Sequence, residues 1–141
     1  MDLTVLIDNN TLVDRYFLAE PAVSYFIEAD GKRILFDVGY SGLFIENARK
    51  MGLDLTDVDF IVLSHGHLDH TWGIFSLIRL YTEEAFEGRA VKRARLVAHP
   101  DALLRKKHRD IPEIGLPLTE ETLARYFDLH LSRGPVRLTD R

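Results

Sequence analysis

The apolar run Phe60-Ile61-Val62-Leu63 is followed at once by Ser64-His65-Gly66-His67-Leu68-Asp69-His70, and this junction constrains the chain more than any other segment. A short apolar run rich in β-branched residues reads as a buried strand. Directly after it, three imidazoles and one carboxylate fall within six consecutive residues. Neutral imidazole nitrogen and carboxylate oxygen are ligands of zinc and related borderline ions. His65 and His67 are two apart, so in an extended segment they point the same way and can share one ion. Asp69 and His70 are adjacent; they must diverge or sit on a turn, which suits a second ion beside the first. Gly66 is expected to give the backbone a tight conformation between the two histidines. A solitary histidine on a loop is ordinarily just solvated, but a cluster of this density after an apolar strand argues for metal ligation.

The rest of the chain alternates between strand and helix patterns. Leu3 to Ile7, Ala22 to Glu28 and Arg33 to Phe36 read as strands, with Asp30-Gly31 as the hairpin turn between the last two. Ser41 is placed to cap a helix that Gly52 stops, with Phe44, Ala48 and Met51 on one face. Asp59 to Leu63 is the strand before the motif. After it, Thr71 to about Tyr81 reads as a helix with Trp72, Phe75 and Ile78 inward and Leu77 as a further candidate for that face. Trp72 and Phe75 are taken as core residues. Ala94 to Ala98 is a further strand, and Pro100 begins a short helix to about Lys107. Thr119 caps another helix, with Thr122 at its third position. His130-Leu131 and Val136 to Leu138 suggest a closing hairpin around Gly134-Pro135. This order predicts an α/β (α+β) fold, a mixed sheet with outer helices, in one domain over residues 1–141.

The chain has 141 residues, enough to bury a real core. A hydrophobic content of 46% and a charged content of 28% are those of a globular protein. A net charge of −4 implies no general affinity for nucleic acid or an anionic membrane. The longest apolar runs are far too short to span a bilayer, and the N-terminal residues do not resemble a signal peptide. A cytoplasmic location is therefore expected. There are no cysteines, so thiolate metal sites, disulfides and Cys nucleophiles are excluded.

The pattern His-x-His-x-Asp-His after an apolar strand resembles the signature of the metallo-β-lactamase fold superfamily of metal-dependent hydrolases. Leu35-Phe36-Asp37-Val38-Gly39 is similar to the strand and Asp-x-Gly turn that precede that signature. Val97-Ala98-His99-Pro100 is similar to the strand end that carries the next histidine ligand. Asp8-Asn9-Asn10 with His99-Pro100-Asp101-Ala102 is similar to the subgroup that includes dihydropterin ribofuranosyl-aminobenzene phosphate synthase-like proteins. The resemblance covers the first half of the family pattern, so it implies one half of an αββα sandwich.

The resemblance assigns His65, His67 and His99 to one ion and Asp69 and His70 to a second. Zn²⁺, one or two ions, is the implied cofactor, with iron or manganese as substitutes. The implied activity is hydrolysis of an ester, phosphoester or related bond of a small molecule by metal-activated hydroxide, with Asp69 orienting it and accepting its proton. Asp37 is read as a residue that pins the motif loop. Asp8 and Asn9 are read as pocket-lining or strand-capping residues, and His108 as part of a solvated basic face. Two other readings stay open: a half-domain that binds one metal with little catalysis, and a non-catalytic interaction module. A one-sided sheet implies a homodimer or a second subunit completing the sandwich. Val5, Ile7, Phe26, Ile34 and Phe36 are expected near that interface, although alternation sends each set to one face. A fold-back of Thr119 to Phe127 over the sheet is the alternative cover.

Overall fold

The computed structural model describes residues 1–140. Its centre is a six-stranded sheet whose spatial order follows the chain: β1 (Asp2–Ile7), β2 (Ser24–Ala29), β3 (Lys32–Phe36), β4 (Phe60–Val62), β5 (Arg95–Ala98) and β6 (Asp128–Leu131). The first three strands pair antiparallel and the last four run parallel, so the sheet is mixed as expected. Asp30 and Gly31 both take positive φ, 50° and 72°, which suits the tight turn joining β2 to β3. The parallel strands need crossovers. These carry α1 (Leu43–Lys50), α2 (Leu68–Thr71), α3 (Gly73–Phe86) and α4 (Glu120–Tyr126).

Strand register explains which face is covered. Phe26, Leu35, Ile61 and Leu96 lie opposite one another along a single row across β2 to β5. All four are buried, in one cluster with Phe44, Ile45 and Ala48 of α1, Ile74, Leu77 and Tyr81 of α3, and Leu123 and Phe127 at α4. The neighbouring rows point the other way. They hold Val5, Tyr25, Phe36, Val62 and Val97, then Leu3, Ile27, Ile34 and Phe60. Leu3 and Val5 are 53% and 44% exposed, and Tyr25, Ile27, Phe36, Phe60 and Val62 are half-buried. The tail after β6 brings Val136 and Leu138 beside Val62 and Val97, but no helix covers this second face among the described residues. Of the residues expected at an interface, Ile7 and Phe26 belong to the helix-side core, while Val5, Ile34 and Phe36 lie on the open face. The chain exposes 8598 Å² for a mass of 16.2 kDa, against about 7,500 Å² for a compact monomer of that size.

Four local expectations are corrected. The helix expected to start at Thr71 is broken between α2 and α3, and α3 runs on to Phe86. Of the residues expected inward, Leu77 is buried and Ile78 half-buried, while Phe75 is 43% exposed; Ile74, Leu80 and Tyr81 complete the inward face. Both faces of this helix carry large apolar residues, so periodicity alone does not choose between them; the sheet does. The helix expected from Pro100 to Lys107 is a 3-10 turn over Pro100–Leu103. The closing hairpin does not form among the described residues: β6 pairs in parallel with β5, taking the free edge that β5 offers. Finally, α4 does not fold over the open face but joins the layer of α3, where Phe127 meets Tyr81 edge-on at 6.2 Å.

Candidate metal centre

The site gathers at the carboxyl ends of neighbouring parallel strands, where α/β sheets bind ligands. Asp37 follows β3, the Ser64–His70 loop follows β4 and His99 follows β5. The loop stays in register with the sheet because Asp37 N donates to Val62 O at 2.8 Å and Leu63 N to Val97 O at 3.0 Å.

Asp37 organises the loop. It is 1% exposed and takes φ 54°, a conformation Asp tolerates better than most residues. Its Oδ1 accepts from Ser64 N at 2.8 Å, and its Oδ2 accepts from Ser64 Oγ at 2.7 Å. The same Oδ2 lies 2.7 Å from His70 Nδ1. A carboxylate accepts, so His70 carries its proton on Nδ1 and presents Nε2 as a free lone pair. A second tautomer follows by proton accounting. Ser64 has one hydroxyl proton and gives it to Asp37, so its oxygen accepts from His65 Nδ1, 3.0 Å away. His65 therefore also presents Nε2. One buried carboxylate thus sets the ligand face of two histidines.

His65, Asp69 and His70 each offer a ligand atom, and these atoms all lie within 4.8 Å of one another. The rings of His65 and His70 have centroids 4.2 Å apart, and Asp69 Oδ2 is 3.5 Å from His70 Nε2. Burial, and then the neighbouring His70 and His67, hold the His65 pKa below its ordinary value, which keeps its imidazole neutral and able to ligate. Two imidazoles that present Nε2, both oriented from behind, and a carboxylate fit a borderline divalent ion such as zinc or iron. This trio draws members from both of the ion sites that the resemblance assigns. His67 stands beside it, its ring edge-on to His65 at 4.8 Å. His99 follows β5, 44% exposed at the side chain, and its Nδ1 accepts from Asp101 N at 3.2 Å, capping the 3-10 turn. Among the described residues, neither His67 nor His99 belongs to the close-set trio.

Close backbone approach fixes the loop. A Cβ on Gly66 would lie 2.0 Å from Ala102 O, so Gly66 serves to let two backbone segments touch and not to supply an unusual turn. Residues that sequence reasoning did not find complete the surround. Ser64 relays Asp37 to His65, and its position between strand and first histidine was the available clue. The segment before α4 gives no such clue, yet it closes on the motif: Leu68 N donates to Ile114 O at 2.8 Å, Trp72 Nε1 donates to Gly115 O at 2.7 Å, and His67 bridges to Gly115. Among the described residues Asp8 is not part of the close-set trio, and Asn9 N donates to its carboxylate. His108 is exposed and pairs through its backbone with Ile111.

A mixed sheet with outer helices and a His/Asp cluster at its strand ends defines the fold of metal-dependent hydrolases. The chain belongs to the metallo-beta-lactamase superfamily, which it matches over residues 18–134. An uncharacterized protein of Methanocaldococcus jannaschii is 33% identical over 137 residues, 96% of this chain and 49% of that protein. The 7,8-dihydropterin-6-methyl-4-(beta-D-ribofuranosyl)-aminobenzene-5'-phosphate synthase of the same organism is 33% identical over 73 residues, 48% of this chain and 25% of the synthase. The crystal structure of a metal-dependent hydrolase of the beta-lactamase superfamily superposes with a TM-score of 0.67 at 24% identity, covering 94% of this chain and 42% of the hydrolase. The chain thus spans about half the length of the first relative and a quarter of the second. Among the described residues, no helix is long and apolar enough to cross a membrane.

Proposed function

We propose that this chain is the metal-binding part of a hydrolase acting on an ester, phosphoester or related bond of a small molecule. The observation that carries this reading is the close-set trio His65, Asp69 and His70, with both imidazoles turned to present Nε2. A divalent ion held there supplies Lewis acidity and brings the pKa of water to about 7. Zinc is the favoured ion for this donor set, with iron or manganese as substitutes. The chain's own contribution is to favour the neutral form of His65, to orient His70 through Asp37, and to offer the Asp69 carboxylate as proton acceptor. His67 and His99 are the further ligands this reading recruits. A second reading, a metal-binding half-domain with little turnover, is favoured by the positions of His67 and His99 outside the trio.

Elemental analysis with a phosphoester and thioester assay separates these readings. A hydrolase is expected to retain metal through purification and to show chelator-sensitive turnover that His67→Ala abolishes. Bound metal without turnover supports the half-domain reading. Turnover that survives both chelator and substitution would defeat the metal reading altogether.

The open sheet face motivates a proposal about assembly. Its half-buried apolar rows and the roughly 1,100 Å² of surface above that of a compact monomer compare with about 800 Å² buried per partner in a standard interface. The isolated 141-residue chain is therefore expected to self-associate through this face, most simply as a two-fold pair. Light scattering at micromolar concentration should give twice the chain mass, and Val5→Lys should restore the single mass. A monomer for the unsubstituted chain would remove this proposal.

A further inference from the structure

We propose that Tyr40 and Trp72 form a stacking platform for a planar aromatic or heteroaromatic ring carried by the substrate. Their rings stack with centroids 5.5 Å apart and planes 16° from parallel. Trp72 is half-buried and Tyr40 is 43% exposed, so the pair leaves aromatic surface open. Trp72 is then not a core residue in the ordinary sense. It supports a second ring that faces solvent.

Both rings are held where they stand. Trp72 Nε1 donates to Gly115 O at 2.7 Å, which fixes the indole plane. Tyr40 leaves a backbone that Glu20 grips: one carboxylate oxygen accepts from Tyr40 N and Ser41 N at 3.1 and 3.0 Å, and the other accepts from Ser41 Oγ at 2.6 Å. Gly39, just before Tyr40, takes φ 69° and aims the chain outward. An exposed tyrosine on a free loop keeps its conformational entropy; this one gives up the backbone share of that freedom.

The platform is built on the same backbone as the metal centre. Val38 N donates to His70 O at 3.0 Å and Gly73 N to Gly39 O at 3.1 Å, so the stretch Asp37–Tyr40 and the stretch His70–Gly73 are laced side by side. Asp37 orients His70 at one end of this lacing, and Tyr40 meets Trp72 at the other. Gly115 touches both, since it bridges to the His67 backbone and accepts from the Trp72 indole. A ring resting on Tyr40 would thus be positioned by the elements that position the ligands. An aromatic face binds planar rings by offset stacking, and rejects compact aliphatic groups by offering them less contact.

This inference rests on the hydrolase reading for the word substrate, but ring binding is measured without turnover. Trp72 is the single tryptophan of the chain, so its fluorescence reports this place alone. The full chain is titrated with 4-nitrophenyl phosphate and with free 4-nitrophenol, and methyl phosphate is used as the aliphatic competitor. Saturable quenching by both ring compounds is expected, with about three- to tenfold tighter binding of 4-nitrophenyl phosphate than of methyl phosphate. Tyr40→Phe should keep that preference, and Tyr40→Ala should erase it. Tyr40→Leu, which keeps bulk and removes the aromatic face, should erase it too and guards against loss of folding in the alanine variant. Equal affinity for the aryl and methyl esters, an unchanged preference in Tyr40→Leu, or no quenching by either ring compound would overturn the platform. Quenching by 4-nitrophenol with no turnover of the ester would leave the platform standing and count against hydrolysis alone.

Discussion

Gly73→Ala is expected to lower the melting temperature by about 10 °C or more, or to prevent folding. A Cβ at this position would lie 1.7 Å from Val38 O and 2.8 Å from its carbonyl carbon, both backbone atoms that cannot rotate away. The Phe44 ring, 0% exposed, would be 2.9 Å off. Relief requires α3 to move away from the β3 loop, which breaks the bonds of Gly73 N to Gly39 O and Val38 N to His70 O. Overpacking a core costs about 1–3 kcal/mol when side chains can yield, and a backbone-to-backbone clash belongs at or above the top of that range. Gly134→Ala is the control, because nothing lies within 4 Å of a Cβ there and its φ is not positive. Equal melting temperatures for the two variants would mean that α3 does not pack on the Asp37 loop as closely as described.

Asp37→Asn is expected to weaken metal binding about 10- to 100-fold, the usual effect of losing a carboxylate behind a ligating histidine. The substitution keeps size and tolerance of positive φ. It replaces an acceptor with a donor at one of two positions. If the amide oxygen stays on Ser64 N, the amide nitrogen faces both Ser64 Oγ and His70 Nδ1, the two donors now served by Oδ2. His70 then favours the tautomer with its proton on Nε2, the atom needed for the ion. Ser64 no longer gives its proton to Asp37, so His65 loses its orientation as well. Competition against a chelator of known affinity measures the change. Unchanged affinity would show that the tautomers of His65 and His70 are not set from Asp37.

Much of this architecture is visible in the residues because it is local. The hairpin at Asp30-Gly31, the strand before Ser64, and Thr119 accepting from Thr122 N at 3.1 Å all follow from short-range chemistry. The motif itself announces His65, His67, Asp69 and His70, although not that His65 closes with Asp69 and His70. What was not legible depends on distant partners. The phase of α3 follows from which side meets the sheet, since Phe75 and Ile74 are equally apolar in sequence. The role of Gly66 depends on Ala102 O, a contact made by a segment far along the chain. Gly134-Pro135 carries a genuine turn signal, yet β6 takes its hydrogen bonds from β5 instead. Ser64 was readable in principle as a relay, but Gly115 was not, because nothing near it in sequence mentions the Trp72 indole.

The sheet order β1 to β6, identical to the order of synthesis, bears on how the protein is made. Each strand joins an edge formed by the strand just before it, so no gap is left waiting for a late segment to be inserted. Domains emerge from the ribosome N-terminus first at about 5–20 residues per second. By the time His70 is free of the exit tunnel, Asp37, Ser64, His65 and Asp69 are already out, and β1 to β4 are available to hold them. The two-histidine, one-carboxylate trio and its Asp37 support thus leave the ribosome ahead of β5 and of the 102–115 segment, whose contacts then lock the loop. Metal capture at that stage would brace a half-built sheet, and translation would add the remaining strands to an edge already in place.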